Sequence, residues 1–239
     1  SGLLHAGDAV TAGVDAFAVN GEGPLPAPLA ALALGGIWNA EVVPASRSTA
    51  LAWVGLAVVL GLGAAGVRRW SRSAPAAERV TLVVAGAVGL LLALAPTLAP
   101  GPMDQLVQTV PGTGLLRDSA RSLALLAPLL AVVMAAGAQT LVERVDPPAR
   151  WALTTAVVLL PVMVIPDAAW GIGGALRPVS YPPGLLRAAT TLETARAEVP
   201  GAVVVLPFTS YRAPEWNGGR KVLVPLGRLL GSEVVTSDE

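Results

Sequence analysis

Residues 80–100, VTLVVAGAVGLLLALAPTLAP, form a continuous apolar stretch without a charged side chain. A helix needs roughly 20 such residues to cross a hydrocarbon core of about 30 Å, and in lipid it satisfies the hydrogen bonds of its own backbone. Stretches of the same kind occupy residues 49–67, 122–142 and 151–170, and none of the four carries a charge in its middle. The sequence therefore predicts an α-helical polytopic membrane protein with four transmembrane helices.

The composition agrees with this prediction and excludes several classes of site. Hydrophobic residues make up 54% of the chain and charged residues 13%, against roughly 25% charged residues in soluble domains. The formal net charge of zero does not indicate a nucleic-acid partner. The chain has no cysteine and one histidine, His5, so neither a disulfide framework nor a metal site is expected, and no nucleotide-binding fingerprint indicates a cofactor.

The distribution of arginine predicts the orientation of the spans. RRWSRSAPAAER, residues 68–79, contains four arginines and one glutamate. Short, positively charged connections stay in the cytoplasm, so this one is expected inside. Alternation then places residues 101–121 outside, residues 143–150 inside and both ends of the chain outside. We expect a multi-pass protein of the plasma membrane.

The domain boundaries follow from these spans. The membrane domain covers residues 49–170, and residues 1–48 form an extracytoplasmic segment. This segment contains PLPAPLAALALGGIW, residues 24–38, whose apolar part is too short to span the membrane and is predicted to form an interfacial helix or a re-entrant segment.

Residues 171–239 differ in composition from the membrane domain. A helical pattern over residues 184–201 precedes two β-branched stretches, 202–208 and 221–225. We interpret this order as the start of a small extracytoplasmic α/β domain, truncated before its sheet closes. Because the chain opens on Ser1 rather than on methionine, we expect it to be a piece of a longer protein.

Two arginines stand where the third span begins. Arg117 and Arg121 lie four residues apart, so a helix would place them on one face. One hypothesis is a clamp for the phosphate of a lipid-linked substrate. The alternative is that both side chains anchor the span at the interface, as many arginines at helix ends do. Asp118 can form a salt bridge with Arg121, and Asp118 or Ser119 can cap the helix.

Other polar residues of the predicted outer regions are candidates for binding a sugar. Glu41, within GGIWNAEVVPASR, is either a general base or sugar ligand or an ordinary solvated carboxylate. The loop FTSYRAPEWNGGRK, residues 208–221, groups Tyr211, Trp216 and Asn217 as possible sugar or acceptor contacts. The alternative for this loop is that it folds back over its own sheet. Asp167, at the end of the fourth span, is interpreted as structural.

Three segments together resemble a known family. PGTGLLRDSARSLALLAPLLAVVMAAG, GGIWNAEVVPASR and VVVLPFTSYRAPEWNGG are similar to segments of polytopic GT-C-type membrane glycosyltransferases and related YfhO-like proteins, of the actinobacterial type. The resemblance implies transfer of a sugar from a polyprenyl-phosphate donor to an acceptor outside the cell. It implies an acidic catalytic residue in an earlier outer loop, upstream of Ser1, so no catalytic residue is assigned here.

The resulting prediction is a fragment of a glycosyltransferase of the cell envelope, whose partners are the lipid bilayer and a lipid-linked sugar. Two alternatives stay open. A transporter or flippase would normally place ionisable or unwound segments in the membrane, which the charge-free spans do not indicate. A non-catalytic membrane protein could instead anchor an outer interaction domain.

Overall fold

The computed structural model divides the chain into two compact units, residues 1–175 and 176–239. It describes residues 17–110, 113–116, 118–174, 176, 178–199, 201–209, 211–230 and 234–235. We call residues 1–175 the helical unit and residues 176–239 the C-terminal unit.

The helical unit is built from seven described α-helices joined by short 3₁₀ turns. The α-helices are α1 (Ala27–Leu32), α2 (Leu51–Ser73), α3 (Ala76–Leu98), α4 (Pro100–Thr109), α5 (Ala127–Glu143), α6 (Pro147–Val164) and α7 (Ala169–Gly174). The 3₁₀ turns are Ala40–Val42, Ala45–Ser48, Thr113–Leu116, Ser119–Leu125 and Pro166–Ala168.

Three helices, α2, α3 and α6, are long and apolar enough to cross a membrane. The third predicted span, 122–142, is not one straight helix: the turn Ser119–Leu125 and α5 meet at 44°. Pro128, in the first turn of α5, explains the break, because proline lacks an N–H and its ring clashes with the carbonyl four residues earlier. Among the described residues there are therefore three continuous candidate spans and a bent pair that can form a fourth.

The predicted limits of the other spans also need correction. α2 continues beyond residue 67 through the arginines to Ser73, and Pro75 separates it from α3, so most of residues 68–79 is helical rather than loop. The fourth span runs over Pro147–Val164 instead of 151–170. It ends there because Ile165 precedes Pro166, a position that disfavours helical backbone.

Glycines let α2 and α5 approach closely. A methyl group added at Gly66 would overlap the backbone of Val133 and Gly137, and one added at Gly137 would overlap the carbonyl of Leu62. On α3, Gly89 faces the backbone of Ser122 in the same way. Small residues at such crossings are the usual means by which membrane helices pack without a hydrophobic driving force.

The segment before α2 packs on the ends of α2 and α3. α1 is only six residues long, and its Ala30 and Ala31 are fully buried. The Thr97 hydroxyl, near the end of α3, donates a 2.8 Å hydrogen bond to the carbonyl of Val19. The predicted helix of residues 24–38 thus exists in shortened form and contributes buried residues to the helical unit.

The C-terminal unit combines α8 (Pro183–Glu198) and α9 (Leu226–Leu229) with four strands of two residues each. β1 (Val203–Val204) pairs in parallel with β4 (Val234–Val235), and β2 (Tyr211–Arg212) pairs antiparallel with β3 (Val222–Leu223). The predicted strands 202–208 and 221–225 are therefore much shorter than expected. Pro207 and Pro225 limit them, because proline has no N–H for a ladder.

Candidate functional site

The helical unit contains an apolar groove of about 430 Å³ between α2, α5 and α6. This volume lies within the roughly 300–1,000 Å³ of small-molecule sites. Its walls are formed by Leu51, Ala52, Gly55, Val58, Val59, Leu62, Met134, Ala138, Val157, Leu160, Pro161, Val164 and Ile165, and its end by Ala33, Leu34 and Arg47.

A buried ion pair lies at that end of the groove. The Arg47 guanidinium contacts Glu22, whose side chain is only 3% exposed while that of Arg47 is 13% exposed. The other oxygen of Glu22 accepts hydrogen bonds from the backbone N–H groups of Gly36 at 2.7 Å and Ile37 at 3.3 Å. Both Glu22 oxygens are therefore engaged, which offsets the high cost of burying a carboxylate.

One nitrogen of the Arg47 guanidinium has no hydrogen-bond acceptor among the described residues. Its Nη1 donates a 3.4 Å hydrogen bond to the carbonyl of Ala33, whereas its buried Nη2 has no acceptor among the described residues. Gly35 leaves the space for this guanidinium, since a methyl group there would overlap it. The groove thus ends at a cation that is neutralised by Glu22 but not fully hydrogen-bonded.

The neighbouring residue ties the same turn to the end of α6. The Ser46 hydroxyl and the Ser46 N–H donate hydrogen bonds of 2.5 and 2.9 Å to the two oxygens of Asp167. These hydrogen bonds, led by the hydroxyl, hold the pKa of Asp167 below its ordinary value. Asp167 therefore joins the end of α6 to the turn Ala45–Ser48, and Arg47 of the same turn lines the end of the groove. We call Glu22, Ser46, Arg47 and Asp167 the polar latch.

The predicted phosphate clamp is described in part. Arg121 forms the anticipated salt bridge with Asp118, at 2.7 Å, and its side chain is 79% exposed. It lies on a 3₁₀ turn rather than an α-helix, and Asp118 makes no side-chain cap there. Arg117 lies outside the described residues, so the pairing of the two arginines stays a prediction. The hydroxyl of Ser119 is buried without a described partner.

Glu41 lies on the 3₁₀ turn Ala40–Val42, but its side chain is outside what the structure describes. Its role as a base or sugar ligand stays a prediction. Trp38, three residues earlier, packs edge-on against Phe17 with 4.7 Å between the ring centroids.

The C-terminal unit contains a cavity of its own, a cleft of about 550 Å³. Trp216 and Asn217, two of the predicted sugar contacts, line this cleft together with Tyr181 and Arg228. The rings of Tyr181 and Trp216 meet edge-on at 5.4 Å. Tyr211 does not line the cleft; Lys221 lies 5.8 Å from the centre of its ring.

The amide of Asn217 is used by its own loop. It donates to the carbonyl of Arg220 at 2.8 Å and accepts from the N–H of Arg220 at 2.9 Å. Gly218, with φ of 76°, supplies the left-handed backbone that this turn needs. Asn217 therefore fixes the loop that presents Trp216, and its role as a sugar contact stays a prediction.

The described residues contain no group of three or more His, Asp or Glu side chains placed to hold a metal ion. No protein-family model, curated protein or solved structure matches this chain. The geometry of the groove, the polar latch and the cleft is therefore the basis for assigning a function.

The sequence analysis named Trp216, which lines the cleft, but it did not single out Glu22, Tyr181 or Arg228. Glu22 and Arg47 are 25 positions apart, and Ser46 and Asp167 are 121 apart, so no local spacing rule joins them. One feature of the sequence could have indicated Glu22 as a site residue. It is the one charged residue of the segment 17–38, which is otherwise apolar or uncharged.

Proposed function

We propose that this chain is part of an integral membrane glycosyltransferase that binds a polyprenyl-phosphate-linked sugar and transfers the sugar to an acceptor of the cell envelope. The observation that carries the proposal is the apolar groove of the helical unit, which ends at Arg47. An apolar cavity between membrane helices suits a hydrocarbon chain, and the unused Nη2 donor of Arg47 at its end suits a head group that accepts hydrogen bonds.

The polar latch supports a binding role rather than a chemical one. Both carboxylates at this end of the groove, Glu22 and Asp167, already accept strong hydrogen bonds. A general base needs a free lone pair within reach of the proton that it removes. In this proposal Glu22 and Asp167 hold the end of the groove in place, and Glu41 is the candidate base.

The proposal also assigns the two sides of the membrane. The ends of α2 and α3 that carry Arg68, Arg69, Arg72 and Arg79 face the cytoplasm under the positive-inside rule. The polar latch and the exposed Arg121 then face outward, where an externally oriented lipid-linked sugar would present its phosphate.

The test is a groove-filling substitution in the complete protein. Val58 lines the groove, whereas Val54, on the same helix, lies outside it and is 47% exposed. We expect Val58→Phe to weaken labelling by a photoreactive polyprenyl phosphate about tenfold, which corresponds to about 1.4 kcal/mol, and Val54→Phe to leave it unchanged. Equal labelling of both variants and the parent would refute the proposed groove site.

The arginine clamp is tested in the same assay. Under the proposal, Arg117→Gln and Arg121→Gln each weaken donor binding and sugar transfer. Unchanged transfer and unchanged donor affinity, at normal protein levels, would assign both arginines to anchoring alone.

A transporter or flippase is the second candidate, and the bend between Ser119–Leu125 and α5 favours it. Interrupted membrane helices commonly surround transported substrates. Vesicles that contain the purified complete protein distinguish the two. Movement of a fluorescent lipid-linked sugar between leaflets without an acceptor supports the flippase, and acceptor-dependent consumption of the donor supports the transferase.

A further inference from the structure

The cleft of the C-terminal unit has a construction that suits one class of ligand. Its lining combines the aromatic pair Tyr181 and Trp216 with the aliphatic side chains Val179, Val222 and Val234 and with one cation, Arg228. At about 550 Å³ the cleft has the size of a small-molecule site.

The rings of Tyr181 and Trp216 are held in place without a ligand. Asn217, only 6% exposed, uses both ends of its amide to close the loop that carries Trp216. Tyr181 packs edge-on against Trp216, which fixes the orientation of the two rings. A pre-organised ring loses little side-chain entropy on binding, and its electron-rich face attracts the C–H groups of a sugar ring.

Arg228 supplies the charge. It follows Gly227 on α9 and is exposed, and its side chain forms no hydrogen bond or ion pair with the described residues. Its five N–H donors can bind a carboxylate or a phosphate in bidentate fashion. The carboxylates of the described part of the C-terminal unit, at Glu193, Glu198 and Glu215, do not line the cleft, so none of these three offsets the charge of Arg228 there.

We propose that this cleft binds a pyranose that carries one negative group, either a carboxylate or a phosphate. The sugar ring packs against Trp216 and Tyr181, and Arg228 binds the negative group. This proposal depends on the C-terminal unit alone and stands or falls separately from the lipid groove of the helical unit.

The experiment uses the whole chain in detergent, labelled with 5-fluorotryptophan, and records its ¹⁹F NMR spectrum. The chain has six tryptophans, and Trp216→Phe identifies the resonance of Trp216. The ligands are glucuronic acid, glucose 1-phosphate and glucose, each titrated to about 10 mM, which covers weak sugar affinities. We expect the two anionic sugars to shift the Trp216 resonance saturably, and glucose to require at least tenfold higher concentration.

Two matched arginine substitutions test the role of charge. Arg228→Gln is expected to weaken binding of the anionic sugars about tenfold, a typical loss for one charge-assisted contact, and to leave glucose binding unchanged. Arg187→Gln, an exposed arginine of α8 that does not line the cleft, is expected to change neither. The ligand-free resonance of Trp216, the one tryptophan of the C-terminal unit, shows that this unit is folded in each variant when its shift matches that of the parent.

Three results would overturn the proposal. One is a Trp216 resonance that no sugar shifts. Another is equal affinity for charged and neutral sugars with no effect of Arg228→Gln. The third is a shift produced by an acidic peptide but by none of the sugars, which would assign the cleft to a protein partner. Glucuronic acid and glucose 1-phosphate, compared in parallel, identify whether carboxylate or phosphate is preferred.

Discussion

Glu22 is the charged residue whose burial defines the end of the groove. An unpaired carboxylate in that position would cost several kcal/mol, since neither water nor a polar solvent layer reaches it. Arg47 and two backbone N–H groups satisfy it instead. Because these partners come from residues 36, 37 and 47, one side chain holds together the segment that precedes α2.

The first prediction concerns the loss of this charge. Glu22→Gln leaves Arg47 buried beside a neutral amide, and removing one partner of a buried pair commonly costs about 3–5 kcal/mol. We expect a clearly lower midpoint of thermal unfolding in detergent. Glu78→Gln, at an exposed position on α3, serves as the control and is expected to change stability by no more than about 0.5 kcal/mol.

A double variant separates the charge from the shape of the site. Combining Glu22→Gln with Arg47→Met removes both charges and retains a long apolar side chain, so it should recover part of the lost stability. If the double variant is as unstable as the sum of the single variants, the ion pair is not the cause.

The second prediction concerns pH and Asp167. Its hydrogen bonds with Ser46 lower its pKa in the folded protein, so the folded state favours the ionised carboxylate. The stabilisation is therefore fully present above the unfolded pKa of about 4 and is lost as the pH falls through the folded value.

Unfolding of the parent and of Asp167→Asn, compared between pH 7 and pH 3, measures this contribution. We expect the parent to be more stable at pH 7 and the difference to shrink on acidification. A difference that is constant over this range would mean that ionisation of Asp167 does not stabilise the fold.

The polar contacts that could be predicted from the sequence are local ones. The salt bridge between Asp118 and Arg121 was anticipated because three residues on a helical backbone bring side chains together. The polar latch was not anticipated, since its partners meet only after α1 and the end of α6 have packed.

The hydrophobic pattern of the sequence predicted where the helices lie better than it predicted the residues at which they begin and end. The apolar stretches mark α2, α3, α5 and α6, but the ends of the helices follow prolines instead of hydropathy. Pro75, Pro128 and Pro166 each interrupt backbone hydrogen bonding at positions where the mean hydropathy of the surrounding residues does not change. The bend before α5 is therefore encoded in the sequence by Pro128. A hydropathy average over about 19 residues does not reveal the effect of this single proline.

The third prediction concerns the crossing of α2 and α5. Gly66→Ala would force the backbones of Val133 and Gly137 away from α2, whereas Gly61→Ala, on the same helix, has no neighbour within 4 Å. We expect Gly66→Ala to lower the midpoint of thermal unfolding, and Gly61→Ala to maintain or raise it, because alanine favours helix by about 1 kcal/mol over glycine.

This comparison controls for helix propensity, since both substitutions are the same. Equal stability of the two variants would contradict close packing at Gly66.

For the whole molecule, the predicted membrane character agrees with three or four apolar helices, and the orientation is open to direct measurement. The chain contains no cysteine, so single cysteines can report on each side. Ala77 is exposed in the first turn of α3, and Gln108 is exposed on α4 beyond the other end of α3.

The fourth prediction is the accessibility of these two positions in intact cells. Gln108→Cys should react with a membrane-impermeant maleimide, and Ala77→Cys should react only after the membrane is opened. The opposite pattern would reverse the proposed orientation and place the polar latch in the cytoplasm.

The glycine crossing also has a consequence for biosynthesis. Gly137 is made about 70 residues after Gly66, which at about 5–20 residues per second is a delay of roughly 4 to 14 seconds. During that interval the backbone around Gly66 lacks the helix that packs against it in the folded protein. The helix that α2 contacts most closely is therefore completed well after α2 itself, and the groove, which also needs α6, can form only after both later helices have been made.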